Sequence, residues 1–272
     1  SQQADAVRSR RDLHGDGVGC LITTGVGTDS GVQLQPVSGG AMLYDSSTLS
    51  NAQEGWLRPD WWARRGQVSS AGAGRGSAWL IHAGPRRMVL RHYRRGGLIA
   101  RLSEDHYWWR GPEQTRSFRE WRLLRQLRNE GFPVPQPIAA AYRRQGSTYT
   151  ADILMDYLPG TRSLARRLEQ SSVPLVLWID IGRCIRRFVD AGVHHADLNA
   201  HNVLLDSEDR VWLVDFDRAR VRAAGLWSDA MLARLHGSLR KLTDALPPER
   251  FTTADWHALL DAYLAGAPRQ QT

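Results

Sequence analysis

Three residues carry the chemistry open to this chain: Asp197, Asn202 and Asp215. They stand in the stretches His195-Ala196-Asp197-Leu198-Asn199-Ala200-His201-Asn202 and Val214-Asp215-Phe216-Asp217. An aspartate, an asparagine five residues on, and a second aspartate at the start of a later turn suit phosphoryl transfer. The first carboxylate orients an acceptor hydroxyl and takes its proton. The amide oxygen and the second carboxylate hold Mg²⁺ against the phosphates of ATP.

Taken singly, each motif is common and has a plain reading as a turn. In this order, with an apolar run on either side, they match the catalytic loop and metal-binding turn of kinases. The runs at 203–205 and 211–214 predict two short buried strands joined by the polar turn 206–209. That hairpin would place Asn202 and Asp215 at its two ends, facing one metal. His195 is read as a packing anchor of the loop rather than a second base.

The elements that must position these residues can be sought along the chain. Residues 1–37 are rich in Gly, Ser, Thr, Asp and Gln and are expected to be an extension without fixed structure, the first strand beginning near Gly39. Trp56, Trp61 and Trp62 mark a packing element against the first strands, or an amphipathic membrane contact beside Arg64 and Arg65. Gly72, Gly74 and Gly76 alternate between two strand-like pieces. Gly74 and Gly76 would bring backbone N–H groups close to phosphates, unless the stretch is a plain hairpin turn. The following strand, 88–93, puts Arg91 where kinases carry a lysine. Arg91 is read as the contact to the α- and β-phosphates, the alternative being an exposed strand arginine.

A helix is predicted over 115–129, stopped by Gly131 and Pro133. Glu120 shares its inner face with Leu124 and Leu127, so an Arg91–Glu120 ion pair would replace the lysine–glutamate pair of kinases. The alternative is a surface pairing of Glu120 with a local arginine such as Arg116. Between these elements, 94–111 is basic and aromatic. Arg94, Arg95 and Arg101 there are candidates for acceptor binding, and a membrane-proximal segment or a solvated loop would look alike. Strands are predicted at 134–141 and 148–155, then a linker at 156–160 whose backbone near Asp156 to Leu158 can meet adenine. Helices are predicted over 173–191, 229–245 and 254–265.

Composition bounds the answer. The chain has 272 residues, 42% hydrophobic, with 11 Trp, enough for a large core. Cys20 and Cys184 suggest neither a disulfide framework nor a zinc site, which makes a reducing compartment the default. No run of 18 apolar residues occurs, and the N-terminal residues lack the apolar core of a signal peptide. The formal charge is +8, carried almost wholly by arginine; Lys241 is the only lysine. With no glycine pattern before it, a P-loop is excluded. Such charge suits nucleic acid, an anionic membrane surface or a phosphorylated substrate, and the arginine bias of a GC-rich genome would give the same numbers.

The loop 195–202, the turn Val214-Asp215-Phe216-Asp217-Arg218-Ala219-Arg220, the segment Leu90-Arg91-His92-Tyr93-Arg94-Arg95-Gly96-Gly97-Leu98, and Trp108-Trp109 ahead of Glu120 together carry a family resemblance. Over roughly residues 39–265 the chain resembles the 3-deoxy-D-manno-octulosonic acid (Kdo) kinases of the lipopolysaccharide core kinase group. The resemblance implies an α+β, two-lobed protein-kinase-like fold. The small β-rich lobe would occupy 38–157 and the mainly helical lobe 158–272, with the metal turn at 215–217. It implies ATP-dependent transfer to the 4-hydroxyl of a Kdo sugar on a lipid A precursor. It also implies a peripheral place on the cytoplasmic face of a bacterial inner membrane, with no nucleic acid and no protein partner expected. The residues themselves support the reaction class and do not identify the sugar or the hydroxyl.

Ala196 replaces the arginine of kinase loops that answer a phosphorylated activation segment, and Asp217 replaces a glycine. Both argue against a phospho-switched protein kinase. Two alternatives stay open: a small-molecule phosphotransferase for another alcohol, and a catalytically inactive binding module of kinase fold. Clustered arginines fit an anionic acceptor better than a cationic one, and retention of Asp197, Asn202 and Asp215 speaks for activity.

Overall fold

The computed structural model describes residues 31–48, 52–70, 78–94, 105–223 and 225–266. Its first part is an antiparallel sheet of eight strands, ordered β1-β2-β7-β8-β5-β4-β3, with β6 beside β8. These are β1 (Val32–Val37), β2 (Gly40–Asp45), β3 (Val68–Ser70), β4 (Ala78–Ala83), β5 (Arg86–His92), β6 (Tyr107–Trp108), β7 (Pro137–Gln145) and β8 (Thr148–Asp156). β1 corrects the expected start of structure, since it lies inside the 1–37 stretch and pairs from Val32 with Asp45 to Val37 with Gly40. Its side chains are mostly exposed and alternate poorly, so an edge strand there has no apolar signature. Backbone pairing, turned at Gly39 with φ +75°, places it, and its end residues Val32 and Val37 pack against the core.

Both faces of the sheet are covered, which is why β7 is buried without a break from Pro137 to Tyr142 and β8 from Ala151 to Met155. On one face lie Leu57 and Trp62, the latter in the short helix α1 (Pro59–Ala63), packed against Met42, Ile81, Met88, Leu90, Ile138 and Leu154. The Trp62 indole donates to Trp56 O at 2.9 Å, and the Arg65 guanidinium lies 3.4 Å from the Trp61 ring. The tryptophan cluster is therefore a packing element. On the other face lies α2 (Arg116–Asn129), burying Phe118, Trp121, Leu124 and Leu127 and ending before Gly131 at φ +75°. A buried pair, Arg125 Nε to Asp45 Oδ2 at 2.5 Å, fixes α2 to β2.

The second part is mainly helical. It holds β9 (Arg162–Ser163), α3 (Leu164–Gln170), α4 (Leu175–Asp190), β10 (Val193–His194), β11 (Val203–Leu205), β12 (Val211–Leu213), β13 (Arg220–Val221), α5 (Trp227–Thr243) and α6 (Thr253–Ala265). α4 carries Leu177, Trp178, Ile181, Ile185 and Phe188 on its buried face and stops at Gly192, φ +72°. It crosses α6 at Gly182, where a Cβ would stand 2.2 Å from the Leu259 carbonyl oxygen. Only glycine lets the two backbones meet that closely. α6 opens with a capping box between Thr252 and Asp255. The sheet followed by a helical part is the α+β, two-lobed arrangement expected from the sequence.

Candidate active site

The predicted hairpin is present: β11 pairs with β12, Val203 opposite Leu213 and Leu205 opposite Val211. Its turn is organised by Asp206. The Asp206 carboxylate accepts from the backbone N–H of Glu208 and Arg210, from Arg210 Nε at 2.8 Å and from Trp212 Nε1 at 3.0 Å. Burial works against ionisation, but these donors bring the Asp206 pKa down to about 2. At the other end Val214 N–H donates to Asn202 O at 3.1 Å, so Asn202 and Asp215 leave the hairpin side by side.

His195 ties the loop to the turn. It is buried, its Nε2 bonds the Val214 carbonyl at 2.9 Å, and its ring meets Phe216 edge-on at 4.8 Å. Burial lowers its pKa, so the ring is neutral and Nε2 donates. It is an anchor. The Asp197 carbonyl accepts from Asn199 Nδ2 and Asn202 Nδ2, both at 2.9 Å. The second bond turns Asn202 Oδ1 away from the loop backbone. Asp215 takes a left-handed φ of +66°, which a non-glycine residue seldom adopts, and this aims its carboxylate out of the turn.

Arg91 joins the sheet to that turn. Its Nη1 donates to Asp215 Oδ1 at 2.5 Å, and its Nη2 donates to Glu120 Oε2. Tyr93 OH adds a bond to the same Glu120 oxygen at 2.6 Å. The structure thus places Glu120 of α2 against Arg91 of β5, not against a surface arginine. Burial pushes the Glu120 pKa up to about 7, against the pull of Arg91. Asp215 is also desolvated, yet Arg91 holds its carboxyl below the usual range.

A second bridge was not foreseen. Arg116, one turn before Glu120 on α2, grips Asp217 with two nitrogens, Nε to Oδ1 at 2.6 Å and Nη2 to Oδ2. The signal was available: a carboxylate in place of a glycine, entering a buried turn, needs a cation. Burial, reinforced by Asp215, outweighs Arg116 and raises the Asp217 pKa. Arg116 of α2 therefore holds Asp217, while Glu120 of α2 reaches Asp215 only through Arg91 of β5. Also unforeseen is Arg234 of α5, whose Nε and Nη2 reach Asp197 Oδ1 at 2.9 and 2.6 Å.

Beside these groups a cleft of about 500 Å³ opens between sheet and helical part, walled by Leu80, Val89, Met155, Leu204 and Val214, with Arg91 and Asp215 at one end. The linker Asp156–Leu158 forms its edge. The N–H groups of Asp156 and Tyr157 already serve Gln136 O and Arg87 O. That narrows the expected backbone donor for adenine to Leu158. Gly74, Gly76, Arg95 and Arg101 lie outside the described residues; Arg94 is described and exposed just past β5.

Among the described residues no cluster of three or more His, Cys, Asp and Glu could by itself hold a metal ion. Mg²⁺ does not need one. It takes oxygen donors, keeps several waters, and draws the remainder from nucleotide phosphates. Asn202 Oδ1 and the Asp215 carboxylate are donors of that kind, at adjacent ends of one hairpin, and they fit the ion.

Comparison with known proteins gives consistent findings. The profile of the lipopolysaccharide kinase (Kdo/WaaP) family matches residues 59–263. The 3-deoxy-D-manno-octulosonic acid kinase of Stenotrophomonas maltophilia is 48% identical over 206 residues, 75% of this chain and 81% of that protein. The protein of the same name from Xylella fastidiosa is 48% identical over 204 residues, with the same shares. That of Xanthomonas campestris pv. campestris is 47% identical over 204 residues, again 75% and 81%. A solved structure of WbdD with a kinase inhibitor aligns at 15% identity and TM-score 0.41, over 71% of this chain and 44% of that one, a likeness too slight to argue from.

Proposed function

This chain belongs to the lipopolysaccharide kinase (Kdo/WaaP) family, and we propose that it transfers the γ-phosphoryl group of ATP to the 4-hydroxyl of a Kdo sugar on a lipid A precursor. One observation carries the reaction: the Arg91 guanidinium, bonded at once to Glu120 and Asp215, stands at the cleft across from the loop that bears Asp197 and Asn202. The identity of the acceptor is supported by relatives that carry the name of Kdo kinase.

The roles follow from position. Adenine lies in the apolar cleft against the 156–158 linker. Arg91 keeps the phosphates at the cleft's end, and Glu120 keeps Arg91 from swinging away. Asn202 and Asp215 would hold Mg²⁺, which would neutralise charge gathering on the phosphates. Asp197 accepts the proton of the acceptor hydroxyl as its oxygen bonds to the γ-phosphorus, and ADP leaves on the opposite side. A positioned base of this kind contributes roughly 10²–10⁴-fold. A lipid-borne acceptor places the chain at the anionic cytoplasmic face of the inner membrane as a peripheral protein. No described helix is long and apolar enough to cross a membrane.

The test is direct. Purified protein is incubated with Mg·ATP and a Kdo-bearing lipid A precursor, and mass spectrometry follows the sugar; Asp197→Asn runs alongside. One added phosphate on Kdo from the wild type, mapped to position 4 by NMR, and almost none from the variant, is the expected result. ATP binding without any phosphorylated sugar would overturn the acceptor assignment.

A further inference from the structure

The phosphoryl-transfer reading uses no residue of α5, yet α5 is fixed to the catalytic loop at two points one helical turn apart. Ser238 Oγ accepts from Ala200 N–H at 3.2 Å, and Arg234 lays Nε and Nη2 on Asp197 Oδ1. Met231, Leu232, Leu235 and Leu239 root the helix in the core, so Arg234 is presented from a rigid base. Stability does not explain the contact. The two side chains are 53% and 41% exposed, and pairs that open to water contribute little.

The geometry leaves capacity unspent. A guanidinium carries five N–H donors in a planar fork, and Asp197 Oδ1 takes one edge of it. Arg234 has no second acidic partner among the described residues. Asp197 Oδ2 has no described partner either, and it is the oxygen left to receive an acceptor hydroxyl. An acceptor seated there meets the free edge of Arg234. An anionic acceptor also has to approach three carboxylates, Asp197, Asp215 and Asp217, of which the last two already have arginines of their own. A cation beside the base offsets that repulsion.

We propose that Arg234 reads the acceptor's carboxylate: one edge of its guanidinium orients Asp197, and the other pairs with the acid group of the sugar whose hydroxyl rests on Asp197. This rests on the reading of the chain as a kinase for a sugar acid. Arg234 is then both a positioning and a specificity residue. A neutral sugar would leave that guanidinium edge to water, whereas the acid forms a charge-assisted contact with it that the neutral analogue lacks.

The experiment compares two acceptors at saturating Mg·ATP: the Kdo-bearing lipid A precursor, and the same molecule with its Kdo carboxylate converted to the carboxamide. The wild type, Arg234→Lys and Arg234→Gln are assayed, with thermal midpoint and Mg·ATP affinity as controls of folding. The wild type should prefer the carboxylate by roughly 10–100-fold in kcat/KM, the range of one charge-assisted contact. Arg234→Gln should bring that ratio to within about threefold of one, chiefly through KM for the carboxylate acceptor, and Arg234→Lys should keep part of it. If the variants lose rate on both acceptors equally and keep the wild-type ratio, Arg234 only positions Asp197 and the inference is overturned. Wild-type turnover of both acceptors alike overturns it as well. Turnover of neither overturns the functional reading, and the inference with it.

Discussion

Arg91→Lys puts the usual kinase residue into this frame, and the structure says it should be worse. Arg91 serves two carboxylates on different elements with two nitrogens: Asp215 through Nη1 at 2.5 Å and Glu120 through Nη2. An ammonium is a single point charge on a flexible stem and can sit at full strength on only one of them. Losing one charge-assisted hydrogen bond costs roughly 1.5–3 kcal/mol. A buried carboxylate stripped of its partner would ordinarily cost more. Glu120, with a pKa already raised to about 7, can take up a proton instead, which keeps the loss in the lower half of that range. About 2 kcal/mol corresponds to about 30-fold in kcat/KM for ATP. Steady-state kinetics with ATP varied at fixed acceptor measure it, with thermal unfolding to show that the variant is folded. A lysine variant as fast as the wild type would refute the two-point grip on which the argument stands.

Other expectations can be checked with the same protein. Glu120 has a folded pKa of about 7 against 4.5 as its ordinary value, so the native state holds the extra proton between those limits. Stability should therefore fall as pH rises from about 4.5 to about 7, by on the order of 3 kcal/mol, and level off above; Glu120→Gln should flatten that slope in urea titrations. Asp206 has the opposite sign. Its folded pKa of about 2 lies below the ordinary 3.8, so its contribution is present above about pH 4 and lost as pH falls through 2. Asp206→Asn should cost about 1–2 kcal/mol at neutral pH after solvent screening at the turn, a difference that vanishes near pH 2. Gly182→Ala should destabilise by about 1–3 kcal/mol or more, seen as a lower urea midpoint, because the Leu259 carbonyl stands in the way of the new methyl.

What could be read in advance was whatever local chemistry writes down. The spacing of Asp197, Asn202 and Asp215, the apolar runs around them, and the stop at Gly131 are local, and α2 and α4 run within two residues of where periodicity put them. The Arg91–Glu120 contact could be argued because helix phase put Glu120 inward. Asp217, a carboxylate where a glycine is usual, signalled the need for a cation but not which one; Arg116 with Asp217 and Arg234 with Asp197 join residues far apart in sequence whose meeting depends on how finished elements pack. In a chain so rich in arginine, nothing local tells a partnered arginine from a solvated one. β9 and α3 also escaped: a two-residue strand and a seven-residue helix hold too little periodicity to register, and β9 exists only because β11 pairs with it.

Gly182 has a consequence for how this enzyme can vary. Every single-base change that replaces a glycine codon's residue installs a side chain (alanine, serine, cysteine, valine, aspartate, glutamate, arginine or tryptophan) or stops translation. None of those side chains fits under the Leu259 carbonyl. Position 182, with no chemistry of its own and no place in the cleft, therefore loses stability at every single mutational step, least with alanine. Variants that lower the amount of folded protein should gather there. A lineage could exchange that glycine without such loss only after α6 had first moved off α4.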